Sequence, residues 1–143
     1  MDKVLTRVGR MLPGFWLGFL ICIALVAAPA AFATLQRADA ARVVAWLFAH
    51  EAPSSLVMGA LMVMVARRVG PAAPVDRVRF GADLALPLGA VFCTVAGYYG
   101  LQPMMVQARE GTGAWTFGQL HAVSLGLFGL KILLVAALAW RKA

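Results

Sequence analysis

Four apolar stretches, each about long enough to cross a lipid bilayer, account for most of this chain. A hydrocarbon core of about 30 Å requires about 20 apolar residues in a helix, and the stretches cover residues 12–35, 40–66, 80–104 and 115–140. The chain is 62% hydrophobic and 13% charged, whereas average soluble domains are about 45–50% apolar and about 25% charged. We predict an all-α fold in which residues 1–143 form a single integral membrane domain, a four-helix up-down bundle.

The basic residues are divided unevenly between the two ends of these stretches, and this predicts the orientation. One side carries three clusters, which are Lys3, Arg7 and Arg10, then Arg67, Arg68, Arg77 and Arg79, and finally Arg141 and Lys142. The other side carries only Arg37, Arg42 and Arg109. Because Lys and Arg accumulate in cytoplasmic loops, both termini and the 67–79 loop are predicted to be cytoplasmic.

The formal net charge of +7 raises the question of nucleic-acid binding. Such binding uses a basic face interleaved with aromatic residues, a pattern that this chain lacks, so no nucleic-acid partner is predicted. The positive surplus is explained by topology and by attraction to anionic lipid head groups. The predicted partner is therefore the lipid bilayer.

The N-terminal stretch has a second interpretation as a secretory signal. A basic region, an apolar run and Ala31-Phe32-Ala33, which resembles a cleavage site, have the order of such a signal. The length of the apolar run and Pro29 near its end favour a retained span. Gly14 and Gly18 also have the spacing that lets membrane helices approach closely.

Other small and aromatic residues predict how the helices pack and where they meet the interface. Small residues recur at every fourth position in two of the stretches. They are Gly89, Cys93 and Gly97 in the third, and Gly118, Ala122 and Gly126 in the fourth. Such stripes favour close packing within one chain or between two, so a homo-oligomer or a membrane-protein partner is an open alternative. Trp16, Trp115 and Trp140 lie near the ends of stretches, as in aromatic belts.

Ionisable side chains inside the stretches predict an intramembrane ion pair. His50 and Glu51 fall in the second stretch, His121 and Lys131 in the fourth. Charges at this depth are costly and usually paired. Because helical side chains lean towards the N-terminus, Lys131 leans towards the depth of Glu51. We predict that these two residues pair, with Asp83 as the rival partner of Lys131.

The outer half of the predicted bundle contains further polar residues. They are His50, Glu51, Thr94, Tyr98, Gln102, Gln119, His121 and Ser124. If they converge, they form an outward-facing polar cavity that binds or permeates a small ligand or a proton. The alternative is that they only hydrogen-bond between helices, in a non-catalytic membrane scaffold or accessory subunit.

Enzymatic activity is not predicted, because the sequence has no nucleophile–base–orienter arrangement, no glycine-rich phosphate loop and no HExxH motif. No cofactor and no metal is predicted. Two less favoured readings are a b-type haem with His50 and His121 as axial ligands and a copper site at methionines such as Met58 and Met62. Methionine in an apolar span is more often a space filler.

Several short motifs resemble a known family. They are Ala28-Pro29-Ala30-Ala31-Phe32, the small-residue turn at Ala40-Ala41 with Leu47-Phe48, the run Gly97-Tyr98-Tyr99-Gly100-Leu101-Gln102-Pro103, and His121-Ala122-Val123-Ser124. This pattern resembles the bacterial domain-of-unknown-function 4149 proteins, related to the transmembrane-protein-205-like group, although Ala41 stands where a glycine is expected. The resemblance implies a multi-pass protein of the bacterial inner membrane with about four helices, and no established activity.

Overall fold

The computed structural model describes residues 2–69 and 81–143, and all regular structure in these residues is helical. Helix α1 spans Asp2–Cys22 and passes through a π-helical turn at Ile23–Ala27 into α2 at Ala28–Thr34. Helix α3 spans Arg37–Val69. Helix α4 spans Ala82–Thr94 and passes through a second π-helical turn at Val95–Gly100 into α5 at Leu101–Arg109. Helix α6 spans Phe117–Lys142.

Within the described residues, four helical segments are long and apolar enough to cross a membrane, which confirms the predicted all-α class with four candidate membrane spans. They are span one (Lys3–Thr34), span two (Arg37–Arg68), span three (Ala82–Arg109) and span four (Phe117–Lys142). Span one begins well before residue 12 because the helix continues through Pro13 into the basic N-terminal residues. The predicted start of the third stretch at residue 80 and most of the predicted 67–79 loop, including Arg77 and Arg79, lie outside the described residues.

Spans one, two and three approach one another closely at Gly59. A Cβ at this position would overlap Val91 Cγ2 of span three and would lie 3.5 Å from Trp16 Cη2 of span one. Trp16 itself is fully buried, in a core that also contains Leu20 and Val135. The sequence-based placement of Trp16 in an interfacial belt is therefore wrong: the spans approach closely enough to enclose its indole ring.

The small-residue stripes differ in what they contact. Gly97 of span three faces Leu127 of span four, since a Cβ on it would lie 3.2 Å from Leu127 Cβ. By contrast, a Cβ on Gly14, Gly18 or Gly126 would meet no atom within 4 Å. These three glycines lie on the outer surface of the bundle, so they do not mediate packing within the chain.

Candidate functional site

A buried ion pair joins span two to span four. Lys131 Nζ lies 2.7 Å from Glu51 Oε1, and the two side chains are only 3% and 2% exposed. At 1.5 Å per residue, Glu51 lies about 21 Å from Arg37 and about 26 Å from Arg68, the two ends of span two. The pair therefore lies near the middle of the span, where ionised groups are most costly.

Further hydrogen bonds extend this pair to all four spans. Lys131 Nζ also donates to Thr94 Oγ1 of span three, at 3.3 Å. The hydroxyl of Ser55 donates to Glu51 Oε1, and Trp16 Nε1 of span one donates to Ser55 Oγ at 3.0 Å. We refer to Trp16, Glu51, Ser55, Thr94 and Lys131 as the buried polar network. Its bonds run without a break from span one to span three.

Helical spacing explains how each span contributes to the network. Glu51 and Ser55 are one turn apart, so both side chains lie on the same face of span two. Thr94 Oγ1 donates in turn to the carbonyl of Ala90, one turn earlier in span three, at 3.0 Å. Since Thr94 accepts from Lys131, its hydroxyl is used in both directions. The π-helical turn of span three begins at the next residue.

An aromatic ring lies against the cationic end of the network. Lys131 Nζ lies 4.6 Å from the ring centroid of Phe128, one turn earlier in span four. Phe48 of span two packs edge-to-face on Phe128, with ring centroids 5.2 Å apart. A cation over a ring face is attracted by the ring's negative quadrupole, most strongly when desolvated. Phe128 therefore supplements the carboxylate as a partner of the ammonium group.

The network leaves no buried polar atom unpaired. Within the described residues, every fully buried side-chain nitrogen or oxygen has a hydrogen-bond partner. This pairing is essential, because a buried charge without a partner costs several kcal/mol in practice. The side chains of the network therefore serve as hydrogen-bond partners for one another.

The two histidines lie outside the network. His50 is exposed, with Nδ1 2.9 Å from the carbonyl oxygen of Trp46 in the same helix. His121 is also exposed, and its ring stacks on Phe117 with centroids 5.8 Å apart. Each histidine thus contacts its own span rather than Glu51. Among the described residues, no group of three or more His, Cys, Asp or Glu side chains could hold a metal ion.

The remaining predicted cavity residues are dispersed as well. Gln119 caps span four, because its backbone N–H donates to Thr116 Oγ1 at 3.2 Å and its Oε1 accepts from Thr116 N at 3.1 Å. Ser124 donates to the carbonyl of Gly97 at 3.3 Å. Tyr98 packs edge-to-face on Tyr99 in the second π-helical turn, and Gln102 is half-buried in span three. Within the described residues, no hydrogen bond joins any of these four residues to Glu51, whose partners are Ser55 and Lys131.

The larger part of the chain matches a known protein family. The model of a family described as "Domain of unknown function (DUF4149)" matches residues 11–113. The chain belongs to this family. No significant match to a curated protein or to a solved structure is found.

The matched range of this DUF4149 protein covers most of the buried polar network. Trp16, Glu51, Ser55 and Thr94 lie within residues 11–113, whereas Lys131 lies beyond them. The motif at residues 121–124, which contributed to the resemblance, also lies outside the match. The ion pair thus joins the matched part of the chain to span four.

Two participants of the network were not predicted as site residues. Ser55 could have been found, because it lies one turn after Glu51 on the same helical face. Trp16 could not, since its burial results from packing between spans that are distant in sequence. Asp83, the predicted rival partner of Lys131, instead contacts Lys142 Nζ at 2.6 Å and Arg141 Nε at 3.4 Å.

Proposed function

We propose that this DUF4149 protein is a non-enzymatic, multi-pass protein of the bacterial inner membrane that acts as a scaffold or accessory subunit. The observation that carries the proposal is that the buried polar groups of the network are all hydrogen-bonded within the chain. Glu51, which is buried, is engaged by Lys131 and Ser55 of its own chain. A group satisfied in this way serves as an interhelical clamp. The partner of such a scaffold is a second copy or another membrane protein.

The proposed topology is an up-down bundle with both termini in the cytoplasm. Two contacts support antiparallel spans three and four. Asp83, near the start of span three, contacts Lys142 at the end of span four, while Gly97, further along span three, contacts Ser124 near the start of span four. The basic clusters support the orientation. Reporter fusions that are active on only one side of the membrane test it, at residue 143 and at Gly111.

A second candidate function is the binding or permeation of a proton or small ligand, with Glu51 as the charge-bearing group. The observation in its favour is that two ionised residues occupy a mid-span position. An apolar pair of similar volume is often equally or more stable at such a position, and ionisable residues inside membranes frequently mark ion pathways. In this candidate, Glu51 exchanges Lys131 for a proton during the transport cycle.

A flux measurement separates the two candidates. The purified protein is reconstituted into liposomes that enclose a pH-sensitive dye, and a potassium gradient with valinomycin drives proton entry. The scaffold proposal predicts the same flux as in protein-free liposomes. The opposite result is a proton flux above that of protein-free liposomes, which is lost in Glu51→Gln but kept in the control Glu110→Gln, whose residue lies in an exposed turn. That result would overturn the scaffold proposal and establish the second candidate.

A further inference from the structure

An open pocket lies at the end of the bundle that carries most of the basic residues. Its volume is about 610 Å³, within the range of about 300–1,000 Å³ that is typical of ligand pockets. All four spans contribute to its lining, which includes Thr6, Arg10, Met62, Asp83, Arg141 and Lys142. The pocket is separate from the buried polar network.

The pocket contains more positive than negative charge. It brings together three basic side chains and one acidic side chain, that of Asp83, beside the last residue of the chain, Ala143. Asp83 already contacts both Lys142 and Arg141, and the side chain of Arg141 is still 52% exposed. Within the described residues, no ion pair includes Arg10, which is exposed on the span-one side of the pocket. An anion between Arg10 and Arg141 would relieve the repulsion between these like charges.

The depth of the pocket matches the level of lipid head groups. Lys142 follows Lys131 by three helical turns, which is about 17 Å at 1.5 Å per residue. If the ion pair of Lys131 is near the bilayer centre, the pocket lies about 15 Å from that centre, which is where the hydrocarbon core ends. On the deeper side of the pocket, Met62 is buried and apolar.

We infer that this pocket binds the phosphate of an anionic phospholipid. Arg10 and Arg141 are placed to donate to phosphate oxygens, because the planar guanidinium fork matches phosphate geometry. Lys142, held by Asp83, adds a third positive charge to the lining. Basic pockets between membrane helices are known to hold anionic lipid head groups. A free phosphate ion has the same chemistry, but the depth of the pocket and its apolar Met62 favour the lipid.

Lipid titration of the full chain tests the inference. The protein is delipidated in mild detergent, and its melting temperature is followed by tryptophan fluorescence while phosphatidylglycerol, phosphatidylcholine or inorganic phosphate is added. Phosphatidylglycerol should raise the melting temperature most. Arg10→Gln should require about tenfold more phosphatidylglycerol for half of the effect, since it removes a charge-assisted hydrogen bond. The matched control is Arg67→Gln, an exposed arginine at the same end that does not line the pocket.

Each alternative outcome overturns the inference in a different way. Equal protection by inorganic phosphate would identify the free ion as the ligand, and equal protection by phosphatidylcholine would remove the preference for negative charge. An equal loss in Arg67→Gln would show general surface attraction rather than a pocket. If Arg10→Gln does not fold, Arg141→Gln, which alters the span-four arginine of the pocket, makes the same comparison, and an unchanged titration in it would refute the inference.

Discussion

Replacing Lys131 by methionine tests whether the ion pair clamps the bundle. Methionine retains most of the volume of lysine but removes the ammonium group, so Glu51 keeps only the Ser55 hydroxyl of its two side-chain hydrogen-bond donors. The Coulomb attraction across 2.7 Å is about 6 kcal/mol at an effective dielectric constant of about 20. Desolvation offsets part of this attraction. The expected loss of stability is therefore about 3–5 kcal/mol, which is typical when one partner of a buried ion pair is removed.

The assay is reversible unfolding in mixed micelles, with increasing sodium dodecyl sulfate in a mild detergent, followed by circular dichroism and tryptophan fluorescence. The matched control is Lys142→Met in the same span, whose ion pair with Asp83 is 27% and 44% exposed. It should lose less than about 1 kcal/mol. The double variant Glu51→Met with Lys131→Met removes both charges and should return to within about 1 kcal/mol of the wild-type protein.

Two results would refute the clamp. Equal losses in Lys131→Met and Lys142→Met would show that burial adds nothing to the importance of the pair. A double variant as unstable as the single one would show that the shapes of the side chains, rather than their charges, hold the spans together.

Three further predictions use the same unfolding titration. Gly59→Leu should lose about 1–3 kcal/mol because the added atoms overpack a close contact between spans, whereas Gly126→Leu, in open space, should stay within about 0.5 kcal/mol. His50→Ala and His121→Ala should each stay within about 0.5 kcal/mol because both rings are exposed, and a loss above about 2 kcal/mol would contradict their place outside the network. Trp16→Phe removes a buried hydrogen bond and should lose at least about 1 kcal/mol, so wild-type stability in that variant would show that the bond contributes nothing.

The four spans follow from the sequence because their cause is local. Apolar stretches of membrane-crossing length must satisfy their backbone groups internally, and a helix does so. The ends were less predictable. Span one extends to Lys3 since helical hydrogen bonds do not require apolar side chains, and basic residues are tolerated where a helix leaves the hydrocarbon core.

The predicted cavity residues were grouped by their depth along the helices and not by their rotation around the helix axes. Each residue turns a helix by about 100°, so His50 points about 100° away from its neighbour Glu51. His121 lies about 80° away from Lys131 by the same count. Ser55 is only about 40° from Glu51, which agrees with its place in the network. The angular positions around each helix could thus have shown, from the sequence alone, that the histidines do not face the ion pair. The inward position of Trp16 could be learned only from the tertiary structure.

Span four links the clamp to the basic pocket. Lys131 and Lys142 are eleven positions apart, which is three helical turns with a residual rotation of about 20°, so both lysines lie on one face of the span. The bond from Lys131 to Glu51 fixes the rotation of this face, and the same rotation directs Lys142 towards Asp83. A change that breaks the clamp without unfolding the protein should therefore also weaken binding of phosphatidylglycerol. Unchanged lipid affinity in folded Lys131→Met would show that the contacts of Asp83 alone orient the end of span four.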